Sequence, residues 1–262
     1  MIVIKRRESY KTLGKIKLYI HIFEPKNRNG NEQLPAIVFF HGGGWFGGSP
    51  MQFFPHCEYF AKRGIFAFSA EYRVKSKHGT SPLESVIDGK SVICWIRNKA
   101  LNLGIDTNRV VAAGGSAGGH VALCSALIEG YEQLPADCAL SSKPDALVLF
   151  NPVVDTLSNP RIASLIDGDG NFLSPIHHIK KALPPAIIFH GTNDKIIPFK
   201  HVELFARRMQ ELGDMCELVA FERKGHAFFN FGAYKNKPYT ETVRAADKFL
   251  SALGYLKGEP TI

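Results

Sequence analysis

The sequence predicts an α/β fold: a mainly parallel central sheet of about eight strands, with helices on both faces and a small insertion as a cap. Two observations predict it. Short apolar runs that end in glycine-rich loops recur along the chain, and stretches with helical spacing of apolar residues separate them. The 262 residues are 45% hydrophobic and 21% charged, enough to bury one large core. No repeat, low-complexity tract or polar linker divides them, so residues 1–262 read as one domain.

The elements follow in order. Residues 2–10 and 15–23, around Lys11-Thr12-Leu13-Gly14, are rich in Ile, Val and Tyr and read as an antiparallel hairpin. Ala36 to Phe40 is a short apolar run that ends at His41 and a glycine series, the pattern of a buried strand and a tight loop. Residues 52–63 suit a helix, and Ile65 to Ala70 a strand. From Ser81 to about Leu103, Val86, Ile87, Ile93, Trp95, Ile96 and Leu101 keep near-helical spacing, with Pro82 in the first turn where its missing N–H is harmless. A strand from Arg109 to Ala113 runs into Gly114, and a helix from Ala117 to about Glu129 ends near Gly130. Later strands are expected at Ala146–Phe150, Ala186–His190 and Cys216–Phe221, and helices near Phe199–Leu212 and Thr240–Leu253. Residues 151–183 are the roomy insertion, broken by Pro152, Pro160, Gly168, Gly170 and Pro175, so the cap is small.

A formal charge of +8 would draw the chain toward polyanions if it were concentrated. It is dispersed. Lys5-Arg6-Arg7, Lys180-Lys181 and Arg207-Arg208 are its clusters, and nucleic-acid motifs are missing, so a solvated surface and no nucleic-acid partner are expected. No apolar stretch approaches the roughly 18 residues of a membrane span. Met1 to Arg7 lacks the apolar core of a secretory leader, which favours the cytoplasm unless a leader has been removed. The cysteines at 57, 94, 124, 138 and 216 lack metal-ligand spacing and read as reduced, mostly buried thiols. No metal or cofactor is implied, and the oligomeric state is not legible.

Gly114-x-Ser116-x-Gly118 sits between a predicted strand and a predicted helix. A serine thrust from so sharp a turn holds a strained backbone, and only small neighbours let strand and helix approach. Gly114, Gly115, Ala117, Gly118 and Gly119 meet that demand, so Ser116 is the candidate nucleophile. Upstream, His41-Gly42-Gly43-Gly44-Trp45 also follows a buried strand. Attack on an acyl carbonyl makes an oxyanion, and the unobstructed amides of Gly43 and Gly44, with that of Ala117, suit it as donors.

A serine hydroxyl needs a base, and the base needs a carboxylate to orient it. Among ten histidines, His226 lies in a loop between the last strand and the last helix, and Asp194 lies just past the preceding strand. Asp155 is the alternative acid. His41 and His120 flank the glycine motifs and read as loop-holding residues, and Glu71-Tyr72-Arg73 as a structural brace. Trp45 and Phe228, with Phe46 and Phe229, are candidate substrate contacts, with core packing the safer default.

With these motifs the chain resembles the acetyl-esterase and feruloyl-esterase-like branch of the α/β-hydrolases, close to the hormone-sensitive-lipase group. The resemblance rests on His41-Gly42-Gly43-Gly44-Trp45, Gly114 through His120, Leu183-Pro184-Pro185-Ala186 through Asp194, and Glu71-Tyr72-Arg73. It implies the α/β-hydrolase fold and a serine esterase that works through an acyl-enzyme on short acyl esters, with acetyl or feruloyl groups on carbohydrates among them. Residues 1–34 read as a hairpin and loop where the lipase-like members carry a helical cap. Two other readings stand beside it. One is amide cleavage on the same fold, as in arylformamidases, whose His-Gly-Gly-x-Trp signature fits residues 41–45, or in prolyl-oligopeptidase-like peptidases; the other is a non-catalytic, hydrolase-shaped binding protein.

Overall fold

The computed structural model describes residues 3–25, 32–131, 141–166 and 170–262. Ile2 of the expected hairpin, Cys138 and Gly168 lie outside them. Strands β1 (Val3–Leu13), β2 (Ile16–Pro25), β3 (Leu34–Phe40), β4 (Phe66–Ala70), β5 (Ile105–Gly115), β6 (Ala146–Phe150), β7 (Ala186–Gly191) and β8 (Cys216–Phe221) form one eight-stranded sheet. Its order is β1-β2-β4-β3-β5-β6-β7-β8. The pairings of β2 with β1 and with β4 are antiparallel, and every pairing from β4 to β8 is parallel. Only β2 therefore runs against the rest.

The helices are α1 (Phe54–Lys62), α2 (Lys75–His78), α3 (Pro82–Leu103), α4 (Ala117–Leu127), α5 (Pro160–Ala163), α6 (Phe199–Glu211) and α7 (Lys237–Ala252). Successive strand residues point to opposite faces. In β3, Val38 and Phe40 join a core with Val92 and Ile96 of α3, Val121 of α4 and Phe205 of α6. Ile37 and Phe39 join a second core with Phe60 of α1 and Val243 of α7. Covered on both faces, β4, β6 and β7 are buried throughout, which is why they read as unbroken apolar runs.

The boundaries follow local chemistry. Ser81 and Glu84 form a reciprocal capping box at the start of α3, and Gly104 ends it in a left-handed conformation at φ 69°. A 3₁₀ turn, Pro50–Phe53, precedes α1 and overlaps the start of the helix expected over 52–63. Both hairpin strands run longer than expected, and β5 begins at Ile105, because neighbouring backbones continue to pair there. Residues 151–183 carry only α5 and the 3₁₀ turns Gly170–Leu173 and Pro175–His177 among the described residues.

One expectation is corrected. Cys94, on α3, is disulfide-bonded rather than reduced, whereas Cys57, Cys124 and Cys216 are free and buried. Pairing depends on which segments meet in space, which cysteine spacing along a chain does not report.

Candidate active site

Loops leaving the carboxyl ends of β3, β5, β6, β7 and β8 gather at one edge of the sheet, where parallel α/β sheets place their ligands. Between β5 and α4 stands Ser116 at φ 54°, ψ −119°, a conformation that a non-glycine residue holds only under surrounding constraint. Steric closeness supplies that constraint. A Cβ on Gly114 would lie 2.4 Å from the Gly118 carbonyl oxygen, and one on Gly118 would lie 2.0 Å from that of Phe40. The Ser116 N–H donates to Phe150 O at 2.9 Å, and its carbonyl accepts from His120 N at 3.0 Å. Ala117 opens α4, so its N–H has no partner within the helix.

His226 Nε2 lies 3.0 Å from Ser116 Oγ, and His226 Nδ1 lies 2.7 Å from Asp194 Oδ2. Asp194 Oδ1 accepts the N–H groups of Ile196 and Ile197 at 2.9 and 3.0 Å. Burial alone would raise the Asp194 pKa, but the His226 hydrogen bond and the Ile197 and Ile196 amides outweigh it and hold it below the usual value. An ionised Asp194 can only accept, so His226 carries its proton on Nδ1 and offers the Nε2 lone pair to Ser116. His190 lies behind this pair, with Nε2 donating to Ile197 O at 2.9 Å and burial lowering its pKa. Asp155 is engaged elsewhere: its Oδ1 accepts the Leu157 and Ser158 amides in a turn.

Gly43 and Gly44 have φ 128° and 61°, and the Gly43 carbonyl accepts from Phe46 N and Gly47 N at 3.1 and 3.2 Å. A Cβ on Gly43 would lie 2.2 Å from Gly47 O, so the turn closes only on glycine. Tyr72 supports the loop from below. Its hydroxyl donates to His41 O at 2.6 Å and its ring stacks on the His41 ring at 4.3 Å. Arg73 anchors that support by a bidentate pair to buried Asp88, which Lys11 also reaches at 2.7 Å. His41 and His120 are buried and pushed down to a pKa of about 4, and they contact Gly42 O and Leu173 O at 2.8 and 2.6 Å.

A cleft of about 520 Å³ brings Gly43, Gly44, Ser116 and His226 together, with Gln52, Asn151, Ile196 and Phe229 in its wall. Trp45 and Phe228 are not among its lining residues, which corrects their expected contact with substrate. Backbone geometry decides the first: Trp45 sits at φ 56° with its indole in the core, 3% exposed and edge-on to His120. Trp45 borders instead a neighbouring cavity of about 230 Å³. Phe228, 1% exposed, packs 4.6 Å from Phe221, where burial takes its ring out of water.

Sequence reasoning missed Gln52 and Asn151. Gln52 accepts the Gly42 N–H at 2.7 Å and donates to Asn230 Oδ1 at 2.9 Å, bridging the glycine loop to the histidine loop. Asn151 accepts the Ala227 N–H at 3.0 Å. Its place directly after β6, at the carboxyl end of a core strand, is the signal that could have found it. Among the described residues no cluster of His, Cys, Asp or Glu could hold a metal ion, and no helix is long and apolar enough to cross a membrane.

Fold and site together define a serine hydrolase of the α/β-hydrolase superfamily. Residues 20–167 match the BD-FAE family and residues 156–257 the dienelactone hydrolase family. The chain belongs to the BD-FAE family, within the α/β-hydrolase superfamily. It is similar to esterase 2 of Thermogutta terrifontis, at 43% identity over 97% of both chains with a TM-score of 0.93 for the apo form. That enzyme has also been solved phosphorylated by paraoxon and with propionate or butyrate bound. Among curated relatives, isoprenylcysteine alpha-carbonyl methylesterase of Arabidopsis thaliana is 27% identical, covering 79% of this chain and 53% of the relative. Esterase LipC of Mycobacterium tuberculosis is 28% identical, covering 74% and 53%. The chain thus spans about half the length of the curated relatives it matches.

Proposed function

We propose that this chain hydrolyses small carboxylic esters with short acyl groups through an acyl-enzyme on Ser116. The observation that carries the reading is the unbroken line from Asp194 through His226 to Ser116, at 2.7 and 3.0 Å, with Ser116 and His226 lining one cleft. As Ser116 Oγ attacks the ester carbon, its proton passes to His226 Nε2, and Asp194 stabilises the imidazolium. The amides of Gly43, Gly44 and Ala117 hold the oxyanion. Its collapse breaks the bond to the alcohol oxygen, which takes the proton back from Nε2. Water then attacks the acyl-enzyme by the same route and frees the acid.

The small insertion and the propionate and butyrate complexes of the Thermogutta esterase support the short acyl preference. Acetyl groups on sugars are natural members of that class. Ser116→Ala should leave the fold intact and lower kcat by roughly 10⁴- to 10⁶-fold. In a chain-length series of p-nitrophenyl esters, acetate to butyrate should be preferred; preference for decanoate or longer would sink the short-acyl reading.

A further inference from the structure

We propose that Asn151 is a catalytic residue of this site, its side-chain amide donating a hydrogen bond to the alcohol oxygen as that oxygen leaves. The inference rests on the esterase reading above. Asn151 follows β6 at φ 36°, a left-handed conformation that asparagine tolerates better than other non-glycine residues. Its amide orientation is settled by its neighbour: the Ala227 N–H can only donate, so the atom 3.0 Å away is Oδ1. Nδ2 then faces His226 and lies 3.5 Å from Nε2, the atom that exchanges the proton.

That contact is too long to satisfy a donor well. Asn151 borders the cleft that also holds Ser116 and His226. A buried, under-satisfied N–H therefore stands beside the base in the resting enzyme. The leaving oxygen must come within hydrogen-bonding reach of Nε2 to take its proton, and Nδ2, 3.5 Å from Nε2, is close enough to donate to that same oxygen. In the collapsing intermediate the C–O bond breaks, its electron pair moves to the alcohol oxygen, and the proton on Nε2 passes to that oxygen. The oxyanion pair re-forms the carbonyl. Asn151 transfers nothing; its N–H gains a strong partner only as negative charge grows on the leaving oxygen, the condition for accelerating the step rather than tightening substrate binding.

The charge that accumulates depends on the alcohol, and this separates the role from a structural one. An alkoxide is far more basic than p-nitrophenoxide and needs the donor more. The test is kcat/KM, which reports acylation, for benzyl acetate and p-nitrophenyl acetate with wild type, Asn151→Ala and Asn151→Asp. The aspartate keeps an acceptor for Ala227, loses the donor and adds negative charge beside the leaving oxygen, so it remains informative if the alanine variant unfolds. Asn151→Ala should lose roughly 10- to 100-fold on the benzyl ester and at most about threefold on the aryl ester, and Asn151→Asp should lose more on both while keeping the larger loss on the benzyl ester. Equal losses on the two esters, or none, would overturn the inference and leave Asn151 a support of the histidine loop. Wild type inactive on both esters would overturn the esterase reading, and the inference with it.

Discussion

The turn that carries Ser116 and the loop that carries His226 hold their side chains by different physics. Around Ser116 the backbone is fixed by contact: Gly118 lies against the carbonyls of Phe40 and His41, and α4 starts with no side-chain cap. Every residue of α4 is buried. The loop that carries His226 is only half-buried and hangs on hydrogen bonds from distant segments. Asn193 N donates to Lys224 O at 3.0 Å, Asn151 accepts from Ala227, and Gln52 donates to Asn230. Close packing tolerates no added atom, whereas a set of polar contacts can lose one member and keep the rest. The serine is thus placed chiefly by shape, and the base by polar partners together with the close approach of Gly191 to Lys224 O.

That difference predicts where damage is greatest. On the polar side the severe case is Asp194→Asn. The amide can donate to Nδ1 and favour the tautomer with its proton on Nε2, which cannot accept from Ser116. kcat should fall on the order of 10⁴-fold while the circular dichroism spectrum stays unchanged; a loss under tenfold would break the assignment of Asp194. On the packed side the severe case is structural. Gly118→Ala puts a methyl group 2.0 Å from Phe40 O and 2.4 Å from His41 O, neither of which can withdraw without opening the sheet. It should cost about 3 kcal/mol or more in urea unfolding. Gly225→Ala, in the histidine loop, meets only Asn193 O at 4.0 Å and should cost under about 1 kcal/mol. Similar costs for the two substitutions would erase the distinction between the regions.

A milder test addresses the bridge itself. Gln52→Leu leaves the Gly42 N–H without its acceptor and releases Asn230, removing one polar tie on each loop. An unpaired amide of this kind costs about 1–3 kcal/mol. We expect kcat/KM to fall roughly tenfold with a smaller drop in urea midpoint than Gly118→Ala gives. An unchanged kcat/KM would show that each loop stands without the other.

The same physics explains what could be read from the chain. Steric placement is local, so Gly114-x-Ser116-x-Gly118 announces its turn within a few residues. His226 and Asp194 were legible because each follows a core strand and the chain order is that of the superfamily. Polar placement is not local. Asn151 is 75 positions from His226, and Gln52 is 178 from Asn230, and neither carries a spacing that ties it to its partner. Trp45 illustrates a third limit. Beside a glycine loop an indole can face substrate or core, and the choice lies in a left-handed backbone angle that residue type does not signal. The disulfide of Cys94 is likewise a fact of proximity, not of spacing.

His56 marks the extreme of the packed side and gives the smallest effect at neutral pH. It lies under the nucleophile turn among Phe53, Phe150, Phe229 and Tyr239, fully buried, with neither ring nitrogen partnered. Burial pushes its pKa from 6.5 down to about 3. Between those values the unfolded chain binds the proton and the folded chain refuses it, so stability is intact above about pH 6.5 and falls as the pH drops toward 3, by about 1 kcal/mol per unit. Buried His41 and His120, each pushed down to about 4, add to the same loss. His56→Phe keeps an aromatic ring and removes two unpaired polar atoms. Urea unfolding at pH 8 should match wild type within about 1 kcal/mol, and at pH 5 the variant should gain about 2 kcal/mol relative to wild type. A difference independent of pH would show that His56 finds a proton or a partner in the folded state. Unchanged esterase activity in the variant would show that the floor beneath Ser116 contributes shape alone, which is what a nucleophile held by packing requires.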